Sequence, residues 1–135
     1  MGKRHLAKYT LALLLAASAL QAGAKECLPS MKEGWVRLPP ATMPMMAGFG
    51  RITNPCSSPM VIVSASSPAF GEVSLHETRN VDGVNRMREL DQLRIAPDGD
   101  AILKPGGMHL MLMQPGAPLK EGSKVVVSFK LQDGR

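Results

Sequence analysis

The stretch Met108-His-Leu-Met-Leu-Met113 decides how the rest of the chain is interpreted. Successive side chains of a β-strand point to opposite faces, so an extended chain here places His109, Met111 and Met113 on one face and the two leucines on the other. The leucine face suits a hydrophobic core, whereas the other face carries an imidazole beside two thioethers. The turn signal Pro105-Gly-Gly107 precedes the stretch and separates it from the segment before it.

Short apolar segments separated by Gly, Pro and Asn recur along the chain, without a long helical period. We predict nine strands, over residues 34–38, 47–53, 60–65, 72–78, 85–90, 92–95, 100–103, 108–113 and 124–131. The segment 72–78 alternates and places His76 on the face opposite Val73 and Leu75. The turn Val81-Asp-Gly-Val84 predicts a hairpin. Strands at this spacing, joined by turn signals, indicate an all-β domain of the β-sandwich type.

Four residues with soft or borderline ligand atoms form a candidate metal site. His76 and Met87 flank the predicted hairpin, and His109 and Met111 share one strand face. Imidazole suits copper, and thioethers select its cuprous form, so two nitrogens and two sulfurs in a near-tetrahedral arrangement suit Cu(I). For any one of these residues, an ordinary role as a polar strand residue or a core methionine would be the better interpretation. Because all four occur together, we predict a site for one Cu(I) per chain.

The other methionines have more than one possible role among the ten in the chain. We expect Met31, Met60 and Met108 to fill the core, because methionine packs adaptably. Met43, Met45 and Met46 lie in a turn-like segment, where exposed thioethers could form a mobile second copper contact together with Met113. Packing over the first site is the alternative, and the sequence leaves both open.

The N-terminus has the composition of a secretory signal peptide. Residues 1–9 carry three basic and no acidic residues, and the apolar run 11–20 is too short to span a bilayer. Ala22-Gly-Ala24 supplies the small residues of a cleavage site. We therefore predict a signal over 1–24 and a single copper-binding domain over 25–135; an uncleaved membrane anchor is the alternative.

A signal of this bacterial type implies export to the periplasm, and its removal changes the charge of the chain and the partners that we expect. The signal holds three of the sixteen basic residues, so the exported chain has a net charge of about +2 rather than +5. No clustered basic patch of the kind that binds nucleic acid is visible. We expect a soluble monomer without stable membrane insertion after cleavage, and no enzymatic activity, because no Ser/His/Asp arrangement is present.

Cys27 and Cys56 are the only cysteines. In an oxidising compartment, a pair of cysteines in a small domain is most simply a disulfide. The alternative is a pair of thiolate copper ligands, but free thiols do not persist easily in that compartment. Because no small-residue lipobox precedes Cys27, the sequence also argues against lipid attachment there.

The spacing His76-x10-Met87-x21-His109-x-Met111 resembles, at every position, the signature of the periplasmic copper chaperones called PCu(A)C. The surrounding segments 75–78, 86–88 and 103–113 are also similar to that family, and the resemblance covers 34–135. It implies a cupredoxin-like Greek-key β-sandwich on which these four residues bind Cu(I). It further implies delivery of copper to the copper A centre of cytochrome c oxidase, directly or through a copper-accepting assembly protein.

Two departures and two rival functions accompany this resemblance. Many members of the family continue beyond residues 133–135 with a final strand, and some with a His/Met-rich tail that adds a Cu(II) site, whereas this sequence stops there. We therefore expect either a truncated sequence or a fold that lacks the final strand. The pair Cys27 and Cys56 is also absent from the ligand signature, which fits a structural role. A cupredoxin electron-transfer protein would need a Cys thiolate beside two His and a weak axial Met, and no Cys lies near His109 or Met111. A copper scavenger that serves tolerance would use the same site, and the sequence separates it poorly from a carrier.

Overall fold

The computed structural model describes residues 27–40 and 43–135. The predicted signal over 1–24 lies outside the described residues. The described residues form nine β-strands: β1 (Ser30–Arg37), β2 (Met45–Thr53), β3 (Met60–Ser66), β4 (Phe70–Val81), β5 (Val84–Glu89), β6 (Leu93–Ile95), β7 (Asp100–Leu103), β8 (Met108–Pro115) and β9 (Ser128–Leu131). In this part of the chain there is no helix with the length and apolar character needed to span a bilayer.

The nine strands belong to one sheet that curls into a half-barrel. Its main path is β1-β2-β7-β8-β4-β3-β6, while β5 pairs with β4 and β9 pairs with β3. Strand β2 also pairs with β8, so that β8 has β2 on one side and β4 on the other. The predicted all-β class is confirmed. The two packed sheets expected of a sandwich are here the two halves of one curled sheet.

The core lies on the concave side of the sheet and follows the period-2 alternation of the strands. Val73 and Leu75 of β4 are buried, as are Leu110 and Leu112 of β8. The remaining core residues come from β4 and from five other strands: Met46, Ile52, Met60, Ile62, Phe70, Leu93, Ile95, Ala101, Leu103 and Leu131. The predicted faces of both alternating stretches are therefore confirmed.

A disulfide joins Cys27 to Cys56, with their Cα atoms 5.8 Å apart. It ties the residues before β1 to the connection between β2 and β3. The predicted bridge is confirmed, and the alternative of two thiolate copper ligands is wrong. Because the sulfur of Cys27 is bonded to that of Cys56, it cannot at the same time carry a thioether-linked lipid.

The last predicted strand is shorter than expected. The sequence predicts a strand over 124–131, whereas β9 begins only at Ser128, which pairs with Ser66 at the end of β3. Since β3 ends there, the residues before Ser128 have no strand beside them with which to exchange hydrogen bonds. They instead border an apolar cleft of about 580 Å³ between β1, β2, β8 and the segment 119–127. Val126 is 65% exposed as a result.

Candidate metal centre

The two predicted histidines meet on neighbouring strands. His76 of β4 and His109 of β8 are direct cross-strand partners. Their rings are stacked with an interplanar angle of 24° and centroids 5.9 Å apart. Both lie on the face of the sheet opposite the core leucines, because alternate residues of a strand share a face.

The two predicted thioethers lie on that same face. Met111 is two residues along β8 from His109 and is the cross-strand partner of Ser74. Met87 of β5 is the partner of Thr78, which is two residues along β4 from His76. The register of β5, β4 and β8 therefore brings all four predicted residues to one side of three adjacent strands. Met87 is the outlying member, since it is 54% exposed.

Each imidazole has one nitrogen engaged and one available. Nδ1 of His109 lies 3.1 Å from the carbonyl oxygen of Gly107. A carbonyl can only accept, so the neutral ring carries its proton on Nδ1 and keeps a lone pair on Nε2. Such a bond to the far nitrogen is the usual way in which proteins orient a metal-binding histidine.

His76 is arranged in the complementary way. Its Nε2 is hydrogen-bonded to the hydroxyl of Ser74 at 2.9 Å. Its Nδ1 is buried and has no hydrogen-bond partner among the described residues. An unpaired buried polar atom costs roughly 1–3 kcal/mol. When Nε2–H donates to the hydroxyl, Nδ1 presents a lone pair, and a cation bound there would offset this cost. The residues present therefore fit a metal.

An aromatic stack supports the ring of His109 on its other side. Phe49 of β2 lies 6.4 Å from His109 between ring centroids, and Trp35 of β1 lies 4.6 Å from Phe49. The guanidinium of Arg37 covers Phe49 at 5.3 Å. His109 is consequently only 5% exposed, although it is on the face away from the core. The role of Phe49 was not predicted, because nothing local in the chain gives the register between β2 and β8.

The remaining predicted copper contacts divide between the two faces. Met46 is 9% exposed and belongs to the hydrophobic core, so grouping it with the exposed thioethers was wrong. It alternates with Met45, which points to the other face and is the cross-strand partner of Met113. Met43 precedes β2 and is exposed. Met60 lies in the core, and Met31 and Met108 pack against it, as predicted.

A metal ion held by the candidate residues would need the sulfur atoms of Met87 and Met111 as ligands. The described residues contain no group of three His, Cys, Asp or Glu side chains that could hold a metal. Glu89 is the cross-strand partner of His76, but its side chain is exposed. None of the four candidate residues lines the apolar cleft of the half-barrel. The candidate centre therefore lies outside that cleft, with His109 buried and Met87 exposed.

A model of the family described as "Putative lipoprotein LpqE-like" matches residues 30–135. The chain belongs to the LpqE-like family. The "Putative lipoprotein Lxx21020" of Leifsonia xyli subsp. xyli (strain CTCB07) is 36% identical over 124 residues, which cover 91% of this chain and 74% of that protein. In this LpqE-like chain, however, the sulfur of Cys27 is in a disulfide.

Two solved structures resemble the LpqE-like chain in fold. The solution structure of CuI-DR1885 from Deinococcus radiodurans is 30% identical, with a TM-score of 0.62, and the match covers 87% of this chain and 78% of that one. The apo PCuAC domain from PmoF1 has a TM-score of 0.64 at 16% identity, with 81% and 88% covered. The latter shows the fold alone. The predicted cupredoxin-like fold is therefore confirmed.

Proposed function

We propose that this protein carries one Cu(I) per chain through the periplasm, bound by His76, Met87, His109 and Met111. One observation carries the proposal. The stacked imidazoles of His76 and His109 each have one nitrogen available, on the same strand face as two thioethers. The 30% identity to a protein whose structure contains Cu(I) supports the choice of metal.

The four residues suit a metal ion that must later be released to an acceptor. All four donor atoms are neutral, so they bind a monovalent soft cation without trapping it as thiolates would. Thioethers also survive an oxidising compartment without forming disulfides, and sulfoxide formation is reversible. Protons compete with the metal for the imidazole nitrogens, so acidification weakens binding.

The four residues differ in how firmly the fold holds them. His109 is fixed by the carbonyl of Gly107 and by the ring of Phe49, whereas Met87 lies on an exposed hairpin strand. Met87 is therefore the ligand that an incoming donor displaces first. When copper leaves after Met87 has been displaced, His109 and its neighbours stay in place to bind the next ion.

The recipient that we propose is the copper A centre of cytochrome c oxidase, or a thiol-bearing assembly protein that supplies it. Paired thiolates bind Cu(I) more tightly than thioethers and imidazoles, which sets the direction of transfer. The predicted signal and the disulfide support an exported location. In this role the protein is a monomeric carrier and not an enzyme.

A transfer assay tests the proposal. Protein loaded with one Cu(I) under anaerobic conditions is mixed with a reduced soluble copper A domain or a reduced Cys-x-x-x-Cys protein, and copper in each is measured after separation. We expect the metal to move to the acceptor within minutes. Copper retained against excess acceptor would contradict delivery and favour scavenging. An oxygen-only first shell in the X-ray absorption spectrum would overturn the copper site itself.

A further inference from the structure

The methionines of the described chain separate into two groups by their packing. Met46 and Met60 belong to the core, and Met31 and Met108 pack against it. The other five belong neither to the core nor to the partly buried residues packed against it: Met43, Met45, Met87, Met111 and Met113. An apolar side chain stabilises a fold through the area that it removes from water, so side chains left exposed contribute little in this way. Core packing therefore does not explain these five methionines.

Three of the five lie outside the candidate centre but beside it. Met45 of β2 and Met113 of β8 are direct cross-strand partners on the same face as His109 and Met111. Partners of this kind have Cβ atoms about 4.5–5.5 Å apart, within easy reach for two flexible thioethers. The two side chains are partly exposed, at 39% for Met45.

Met43 is held close to this pair by the backbone. The amide of Gln114 donates a hydrogen bond of 2.8 Å to the carbonyl oxygen of Pro44, which extends the β2–β8 ladder by one step. Met43 immediately precedes Pro44 and is 44% exposed. The same end of the two strands thus presents three thioethers to solvent.

We infer that Met45, Met113 and Met43 form a second site for a soft monovalent cation, which in this protein is Cu(I). Thioether sulfur prefers cuprous copper to hard ions such as Mg²⁺ or Ca²⁺. Glu72 is the other cross-strand partner of Met113, and its exposed carboxylate offsets the charge of the cation. Because no imidazole takes part, this site binds more weakly than the first.

The position of Met111 connects the two sites. It lies on the same face of β8, two residues from His109 and two residues from Met113. Cu(I) captured at the outer thioethers can therefore move to His109 by exchanging one neutral ligand at a time, with no change of oxidation state. This entry role rests on the proposed function of the first site, whereas the existence of the second site does not.

The number of Cu(I) ions bound per chain tests for the second site. Cu(I) is titrated into the exported wild-type protein and into a variant with Met45→Leu and Met113→Leu, in competition with a colorimetric Cu(I) chelator. We expect two equivalents for the wild type and one for the variant, whose remaining site keeps its affinity. The matched control, Met31→Leu with Met108→Leu, alters two methionines that pack against the core and retains two equivalents.

A spectroscopic readout assigns the second equivalent to its residues. With methyl-labelled methionine and Ag(I) as a redox-stable probe, the methyl signals of Met45 and Met113 should shift only as the second equivalent is added. Met45→Leu alone should abolish the second step. A wild type that takes up one equivalent, with these methyl signals unmoved, would overturn the second site and leave the first intact. A wild type that takes up none would overturn both.

Discussion

Each thioether of the candidate centre can be removed while its hydrophobic bulk is kept. In Met87→Leu and Met111→Leu we expect the affinity for Cu(I) to fall sharply, because the sulfur donor is lost. The melting temperature of the metal-free protein should change little. Exchanges of Met for Leu usually cost less than about 1.5 kcal/mol even in a packed core, and Met87 is on the surface. Chelator competition and thermal denaturation measure the two effects.

Met31→Leu is the control for these variants, because Met31 packs against the core and not on the face of the candidate centre. It should bind copper as the wild type does. Normal Cu(I) affinity in both Met87→Leu and Met111→Leu would show that these methionines are structural, and the proposed site would be abandoned.

The hairpin of β4 and β5 depends on a small network of ion pairs. Glu77 lies 3.0 Å from Arg79 and 3.1 Å from Arg88, measured from one carboxylate oxygen to a guanidinium nitrogen of each. The hydrogen bond from Arg88, together with Arg79, lowers the pKa of Glu77 below its ordinary value. The strand pairing between β4 and β8 ends at Glu77, and the amide of Thr78 donates one further hydrogen bond to the carbonyl oxygen of Gly107. Beyond that point the hairpin is ordered mainly by its own strand pairing and by these ion pairs.

Acidification should loosen this hairpin. A carboxylate with a lowered folded-state pKa contributes stability that is complete above its unfolded pKa and is lost as the pH falls through the folded value. We therefore expect the protection factors of the amides of residues 78–87, which are corrected for the slower intrinsic exchange in acid, to fall as the pH is lowered below the ordinary range of a glutamate. Hydrogen exchange measured by NMR, relative to the core strands β3 and β6, gives the comparison.

Glu77→Gln is the matched variant, since it keeps the size of the side chain and removes its charge. Its hairpin should exchange faster at neutral pH and show no further acid-dependent step from this position. An unchanged acid profile in the variant would assign the effect to other carboxylates. Because Met87 lies on β5, the variant should also bind Cu(I) less tightly.

At the scale of the whole molecule, the disulfide closes a loop between residues 29 positions apart. Replacing Cys27 and Cys56 together by Ser should lower the free energy of unfolding by about 3–4 kcal/mol, on the chain-entropy account of cross-linking. Chemical denaturation measures the loss. The stoichiometry of Cu(I) binding should stay the same, because neither sulfur lies in the candidate centre. Loss of copper binding by a variant that remains folded would indicate that the cysteines act at the metal.

The curled sheet also explains how a domain of this size can hold a core and a candidate metal centre on the same strands. Leucines, isoleucines and valines from seven strands fill the concave side. The opposite face of β5, β4 and β8 carries the candidate centre, where Phe49 packs beside His109 and Trp35 packs beside Phe49. The candidate centre and the core therefore lie on opposite faces of the same strands.

Local sequence determined the face on which each side chain lies. The alternation in 108–113 predicted that His109, Met111 and Met113 would oppose Leu110 and Leu112, and the burial of the leucines confirms it. Asp82 and Gly83 both have positive φ, as the predicted two-residue turn requires. The presence of two cysteines in a chain predicted to be exported was likewise sufficient to predict the bridge. Each of these follows from neighbours in the chain or from compartment chemistry.

Only the tertiary structure decided which faces meet. Period-2 alternation fixes the side of a strand but not its partner or register, because both depend on long-range pairing. The stacking of His76 on His109, the support by Phe49 and the pairing of Met45 with Met113 all come from that register. Met46 was misplaced because the predicted strand began at residue 47, whereas β2 begins at Met45. Adjacent residues of a strand point to opposite faces, so Met46 lies in the core and Met45 does not. The valines before Ser128 favour a strand by type, but β3 ends where they would need a partner.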